Sequence, residues 1–110
     1  MQSDRQLKNW FLKYNRLFFN GELPESTNIH WEPSPGDHAS TCPVYEVSDN
    51  VFEIKIDPAL KGVIQFWKMT LIHEMIHVAL WRKHPKHQHG KLFQAEKDRI
   101  YALGALKHLW

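Results

Sequence analysis

The stretch VIQFWKMTLIHEMIHVALWRK, residues 63–83, decides the fold of this 110-residue chain. Apolar side chains recur on most faces of a helix drawn through it, which is typical of a helix buried at the centre of a domain. The pattern predicts that this helix begins near Val63 and ends at about Lys83, ahead of the helix-breaking Pro85. The other elements should therefore pack around it.

The central helix contains the motif H-E-x-x-H, as His73, Glu74 and His77. Positions i and i+4 share one face of a helix, so both imidazoles can bind the same metal ion. Glu74 then lies beside the metal, where its carboxylate can take a proton from a bound water. Burying these polar side chains without partners would cost free energy, and a metal supplies partners. We therefore predict zinc bound by His73 and His77, with Glu74 as general base.

The residues before the central helix predict one more helix and three strands. Residues 7–18 place apolar side chains at i, i+3, i+4 and i+7, with Ser3 or Asp4 as the cap. Short apolar or alternating runs, bounded by turn residues, predict strands at 29–31, 40–47 and 51–56. The second and third strands should form a hairpin, in which Pro43 indicates an edge position.

A third helix is predicted after the polar loop that follows the central helix. It should run from Leu92 to about Leu106 and turn Phe93, Ile100, Leu103 and Leu106 toward the core. The fold class predicted is α+β, with a small, three-stranded, mainly antiparallel sheet packed on three helices.

Length and composition favour a single domain over residues 1–110. Hydrophobic residues make up 43% and charged residues 24%, as in soluble globular proteins. No apolar run reaches the roughly 18 residues needed to cross a bilayer, and the one cysteine cannot form an internal disulfide. We expect an intracellular, cytoplasmic protein without a membrane partner, and we favour a monomer.

Charge divides the chain into two unlike halves. Residues 1–55 carry 5 Lys/Arg against 8 Asp/Glu, a net charge of −3, and residues 56–110 carry 9 against 4, a net charge of +5. A basic half can attract nucleic acid or acidic substrates, although a solvated helix surface would give the same charge. DNA is therefore one candidate partner.

A catalytic zinc ion usually has three protein ligands, so the motif needs one more from downstream. Glu96 follows His77 after 18 intervening residues, a spacing seen in thermolysin-like enzymes. However, Ala95 and Ile100 stand where those enzymes have the polar residues that orient the glutamate. His89, which precedes a glycine near the start of the third helix, is the better candidate.

The chain resembles the SprT-like metalloprotease family, which includes bacterial SprT and the eukaryotic protease Spartan. Three segments carry the resemblance: HGKLF at 89–93, similar to the family's H-G-x-x-F; FFNGELP at 18–24, similar to its F-x-G-x-L-P; and the strand IHW at 29–31. The resemblance implies a zincin-like fold, with His89 as the third zinc ligand. Leu92 departs from the family, which often has an acidic residue there. A C-terminal zinc ribbon is also not expected, since Cys42 is the only cysteine.

The resemblance also implies a zinc-dependent endopeptidase, in which Glu74 assists a zinc-activated water. We expect a peptide or protein substrate to pair as an extended strand along residues 39–47, with Cys42, Tyr45 and Arg82 as candidate contacts. In the Spartan branch the substrates are proteins crosslinked to DNA, and the basic half is compatible with that role. Two alternatives remain open: a non-catalytic, zinc-stabilised module that binds nucleic acid, and a small-peptide peptidase with Glu96 as third ligand.

Overall fold

A computed structural model describes residues 4–33, 39–43, 52–83 and 90–104 of the chain, and for residues 42, 43, 82 and 83 it describes the backbone alone. Within these residues, three helices and a three-stranded sheet confirm the predicted α+β fold. The elements in chain order are α1 (Arg5–Phe18), β1 (Asn28–Trp31), β2 (Ala39–Pro43), β3 (Phe52–Ile56), a 3-10 helix (Pro58–Leu60), α2 (Ile64–Lys83) and α3 (Lys91–Ala102).

Helix α1 is fixed by polar contacts at both ends. Asp4 caps it, because its Oδ1 accepts a hydrogen bond from Leu7 N at 3.0 Å. Beyond its last turn, the buried Asn15 side chain bonds both backbone groups of Leu23, at 3.0 and 3.1 Å. The tight turn between Asn15 and Leu23 includes Gly21, whose positive φ of 70° is readily adopted by glycine. The apolar face of the helix is buried as predicted at Leu7, Phe11, Tyr14 and Phe18, whereas Leu17, on the same predicted face, is exposed.

The sheet has the strand order β1-β3-β2, which places β3 at its centre. Strands β2 and β3 pair antiparallel, as the predicted hairpin requires, whereas β1 pairs parallel to β3, so the sheet is mixed. Along β3, Phe52, Ile54 and Ile56 are buried and the two residues between them are half-buried, which confirms the predicted alternation. Strand β2 lies at the end of the sheet, as Pro43 indicated.

Helix α2 is central, since it contacts α1, α3, β2 and β3. Its buried side carries much of the core, including Trp67, Leu71, Ile72, Met75 and Ile76. In its first two turns only one side is buried, and large apolar side chains on the other side are exposed: Ile64, Phe66 and Met69. The apolar pattern of residues 63–83 therefore includes a surface as well as a core.

Helix α3 begins after Gly90, whose φ of 94° and ψ of −145° lie where only glycine is comfortable. Phe93 and Ile100 face the core as predicted. The prediction for Leu103 is wrong: it is 53% exposed, because the helix ends at Ala102 and the helical period no longer directs it. Leu106 lies outside the described residues. No helix in the described part of the chain has both the length and the apolar character to cross a membrane.

Candidate metal centre

The two motif histidines stand one turn apart on α2 and point their Nε2 atoms at the same place. The Nε2 atoms of His73 and His77 are 3.2 Å apart. Zinc–nitrogen bonds of about 2.0–2.1 Å at a tetrahedral angle would place two ligand nitrogens about 3.3–3.4 Å apart. The donor set therefore fits a zinc ion without rearrangement of α2.

Phe93 of α3 holds the two imidazoles from one side. Its ring centroid lies 4.7 Å from that of His73 and 5.0 Å from that of His77. Aromatic pairs at these distances attract each other and limit ring rotation. Helix α3 thus contributes to the geometry of the site through packing. The side chain of His73 stays about half exposed, so a substrate can approach the site from solvent.

Glu74 is buried, with 6% of its surface exposed. Its Oε2 lies 3.9 Å from His73 Nε2. Its Oε1 accepts a hydrogen bond of 2.7 Å from the Thr41 hydroxyl of β2. Hydrogen bonds to a carboxylate are short and strong, so Thr41 fixes the orientation of the carboxylate. The two oxygens are therefore unequal, one held by the sheet and the other directed toward the imidazoles.

Thr41 was not among the site residues predicted from the sequence, although the adjacent Cys42 was. In the β2–β3 register Thr41 lies opposite Ile54, a buried core residue. Directly paired residues of two strands share one face of a sheet, so Thr41 faces α2. The alternation of the strand is visible in the sequence, but the face on which Thr41 lies follows only from the register of β2 against β3, which local patterns do not determine.

A cavity of about 360 Å³ opens beside the carboxylate. Its wall includes Glu74 and His73 themselves. Three elements supply other lining residues, among them Ala39 from β2, Phe66 and Met69 from α2, and Phe93, Lys97 and Tyr101 from α3. Enzyme sites are typically apolar cavities of this size with a few convergent polar groups. The arrangement provides space for a substrate side chain next to the donors.

The remaining predicted site residues are described in part or not at all. His89 and Tyr45 lie outside the described residues. The backbones of Cys42 and Arg82 lie in β2 and α2, respectively, but their side chains are not described. These positions therefore stay predictions.

Glu96, the rival third ligand, is engaged elsewhere. Its Oε1 accepts a hydrogen bond of 2.9 Å from Arg99 Nε, and Arg99 also donates to the backbone oxygen of Phe18 at 2.7 Å. Glu96 lines a different cavity, between α3 and the end of α1. Among the described residues, the donors that can share one ion on α2 are His73, Glu74 and His77, without Glu96. The geometry gives no support to Glu96 as a ligand.

A second set of metal-type donors lies on the sheet. His30 Nε2 is 3.4 Å from Glu32 Oε2 and 3.5 Å from Glu53 Oε1. Lys55 Nζ lies 3.1 and 3.3 Å from the same two oxygens. We call His30, Glu32 and Glu53 the sheet donor group, and His73, Glu74 and His77 the α2 donor group.

The model of the SprT-like family matches residues 7–107, from the first turn of α1 to beyond α3. The chain belongs to the SprT-like family. The match includes the α2 donor group and the H-G segment before α3. Membership in the SprT-like family indicates a metal-dependent, metallopeptidase-like domain, and the α2 donor group offers candidate ligands. A comparison with curated proteins finds no match to this chain.

Proposed function

We propose that this SprT-like domain is a zinc-dependent endopeptidase in which Glu74 is the general base. The observation that carries the proposal is the pair of imidazole nitrogens 3.2 Å apart beside a buried carboxylate. Two donors at the spacing of zinc ligands, with a base next to them, form the working part of a metallopeptidase site. Family membership supports the same chemistry.

His73 and His77 would hold the zinc ion, and we assign His89 as the third ligand from the family's H-G-x-x-F segment. When bound, zinc supplies Lewis acidity, which makes water a stronger acid and polarises a peptide carbonyl. Phe93 contacts both α2 imidazoles and keeps them in their ligating orientation. The fold therefore positions two of the proposed ligands before the metal binds.

Glu74 performs the proton transfers. Its Oε1 is held by Thr41, so we assign the transfers to Oε2, which faces His73. This oxygen takes a proton from the attacking water and delivers it to the amine of the leaving peptide. A carboxylate with a fixed orientation loses little entropy in these steps. Thr41 is a positioning residue, because it acts through Glu74.

Strand β2 is the proposed substrate edge. It lies at the end of the sheet order, and Thr41 joins it to the catalytic carboxylate. A peptide that adds to this edge as a further strand would pass beside Glu74. Pairing between backbones depends on few side-chain contacts, so such binding suits protein substrates of varied sequence. Cys42, Tyr45 and Arg82 remain our proposed additional contacts with the substrate.

We further propose that DNA-bound or DNA-crosslinked proteins are among the substrates. The support is the net charge of +5 over residues 56–110, which contain both α2 and α3. A basic surface attracts the phosphate backbone whatever its base sequence. Recruitment by DNA would concentrate an unspecific peptidase near the proteins that it should cut.

The test is a cleavage assay on a DNA-binding protein, with and without single-stranded DNA. Glu74→Gln should lower turnover by about 10²- to 10⁴-fold, the usual contribution of a general base. Metal analysis should show that this variant keeps its zinc, because Glu74 is not assigned as a ligand. Glu96→Gln, which alters a carboxylate bonded to Arg99, is the matched control and should stay active.

Equal turnover by wild type and Glu74→Gln would remove Glu74 from the mechanism. Cleavage that is indifferent to DNA would leave the peptidase in place and remove DNA from its recruitment. Zinc retention without cleavage of any protein would favour the non-catalytic module.

A further inference from the structure

The cavity beside Glu74 is lined mainly by large apolar side chains. Phe66 and Met69 of α2 and Tyr101 of α3 have no part in the proposed mechanism, and Phe93 of α3 takes part only by packing against the imidazoles. Catalysis of peptide hydrolysis needs the donors and the base, and it does not need an apolar wall. The catalytic role therefore does not explain the apolar lining, and the cavity wall should have a separate function.

The rim of the cavity exposes apolar surface to water. Met69 is 44% exposed and Phe66 is 42% exposed, although both lie on the central helix. Val63 and Ile64, at the same end of α2, are also exposed. Large apolar side chains grouped on a surface mark places where a partner binds, because their contact with water is unfavourable. Here the group adjoins the catalytic carboxylate.

Phe93 adjoins both the cavity and the proposed metal ligands. It lines the cavity and also packs against His73 and His77. A side chain that enters the cavity therefore rests beside the imidazoles that would hold the metal. In an extended peptide, only a residue that flanks the cleaved bond can reach this position. The occupant is thus part of the substrate and lies next to its scissile bond.

Charge at the cavity restricts the occupant further. Lys97 lines the cavity, and its Nζ lies 5.6 Å from the centroid of the Tyr101 ring. An ammonium group repels a second cation that comes close to it in a partly desolvated space. Lysine and arginine side chains are therefore disfavoured next to Lys97, Glu74 being the one acidic residue among the described residues of the wall, and neutral apolar side chains match the rest of the lining.

We propose that this cavity is a specificity subsite that accepts a bulky apolar side chain, such as Leu, Met or Phe, flanking the cleaved bond. Met69, on the exposed rim, determines the size of side chain that enters. The inference rests on the proposed peptidase function, which by itself predicts cleavage with little regard to side chains.

The first experiment maps cleavage sites by mass spectrometry in an unfolded, alkylated protein. In the wild type, bonds flanked on one side by Leu, Met or Phe should be cut about tenfold or more in preference to bonds flanked by Ala, as apolar pockets achieve. Met69→Trp, which fills the cavity, should abolish the preference. Leu17→Trp is the matched control, since Leu17 is 41% exposed on α1, and it should leave the preference unchanged.

The second experiment measures binding without turnover. The Glu74→Gln protein, labelled at its methionine methyl groups, is titrated with two peptides that differ only in Phe or Ala at one central position. The Met69 methyl resonance should shift with the Phe peptide and much less with the Ala peptide. Met75 is fully buried and is not among the residues that line the cavity, so its methyl resonance is the internal control.

The two experiments separate the possible failures. Cleavage by the wild type with no apolar preference, or with a preference for Lys or Arg, would overturn the subsite and keep the peptidase. A Met69 shift specific to the Phe peptide, with no cleavage by the wild type, would keep the subsite and overturn the peptidase. Equal shifts of Met69 with both peptides would also overturn the subsite.

Discussion

The α2 donor group and the sheet donor group are both sets of histidine and glutamate atoms close enough to share an ion. They differ in what neutralises the carboxylates. In the sheet donor group, the Lys55 ammonium lies 3.1 and 3.3 Å from two carboxylate oxygens. In the α2 donor group, two imidazoles face each other beside one carboxylate and an open cavity. A lysine can replace a metal as the counter-charge, so donor proximity alone does not identify a metal centre.

The surroundings of the histidines in the two donor groups also differ. His30 is 8% exposed, and the Lys55 ammonium already lies beside the two carboxylate oxygens that face it. His73 is about half exposed and lines the cavity. A catalytic metal needs an open coordination position and a path to it. The α2 donor group meets this requirement, and the sheet donor group does not.

The largest effect expected is on zinc retention. His77→Ala should weaken zinc binding by more than about 100-fold, because even groups outside the ligand shell contribute about 10–100-fold. His30→Ala should leave zinc binding unchanged, since Lys55 already provides the positive charge near His30. Zinc content after dialysis, measured by atomic absorption, distinguishes the two variants. Loss of zinc from His30→Ala would show that the sheet donor group holds metal as well.

The next effect concerns the third ligand. His89→Ala should also release zinc under dialysis, because two imidazoles alone do not make a tight site. Glu96→Ala should retain it, since the Glu96 carboxylate is bonded to Arg99. The reverse pattern would transfer the assignment from His89 to Glu96. Zinc retained by both variants would show that some other group completes the site.

A moderate effect is expected at Thr41. Thr41→Val removes the hydrogen bond to Glu74 and should lower kcat by about tenfold or more, since a hydrogen bond to a charged group is worth about 1.5–3 kcal/mol. KM should change little, because the hydroxyl contacts Glu74 and not the substrate. Thr41→Ser should restore turnover, and Ser40→Ala, one position away on β2, is the control. A rise in KM at constant kcat would contradict the positioning role.

The smallest effect is on acid stability. The hydrogen bond from Lys55 lowers the pKa of Glu32 below its usual range. A carboxylate with a lowered pKa in the folded state stabilises the protein above its ordinary pKa of about 4.3, and the contribution is lost as the pH falls through the folded value. Lys55→Gln should therefore lower the midpoint of urea unfolding slightly at pH 7, and at about pH 3 the difference should shrink. A difference that grows toward acid pH would show that Lys55 does not pair with Glu32.

Local patterns predicted much of this fold. Helix α1, helix α2 and the alternation of β3 follow from spacings of a few residues, which the sequence displays directly. The H-E-x-x-H pair is equally local, because residues i and i+4 meet on any helix. The positions of Glu74 and the two histidines could therefore be predicted before any tertiary contact was known.

Features set by long-range pairing could not be predicted. The parallel pairing of β1 with β3, the contact between Thr41 and Glu74, and the sheet donor group all join residues more than 20 positions apart in the chain. Strand register depends on which faces are buried, and a shift of one residue exchanges the faces. His30 had no motif to mark it, because one of its two partners, Glu53, comes from another strand.

The backbone of Gly90 makes handedness a requirement of the site. Its φ of 94° and ψ of −145° are closed to L-amino acids, yet among the described residues no atom beyond its chain neighbours lies within 4 Å of the place where a Cβ would stand. The restriction is thus one of chirality and not of space. A synthetic protein with D-alanine at position 90 should fold and keep Phe93 packed against the imidazoles of His73 and His77. L-alanine at the same position should turn α3 away from these imidazoles. A mirror-image residue would then be the conservative substitution at this position.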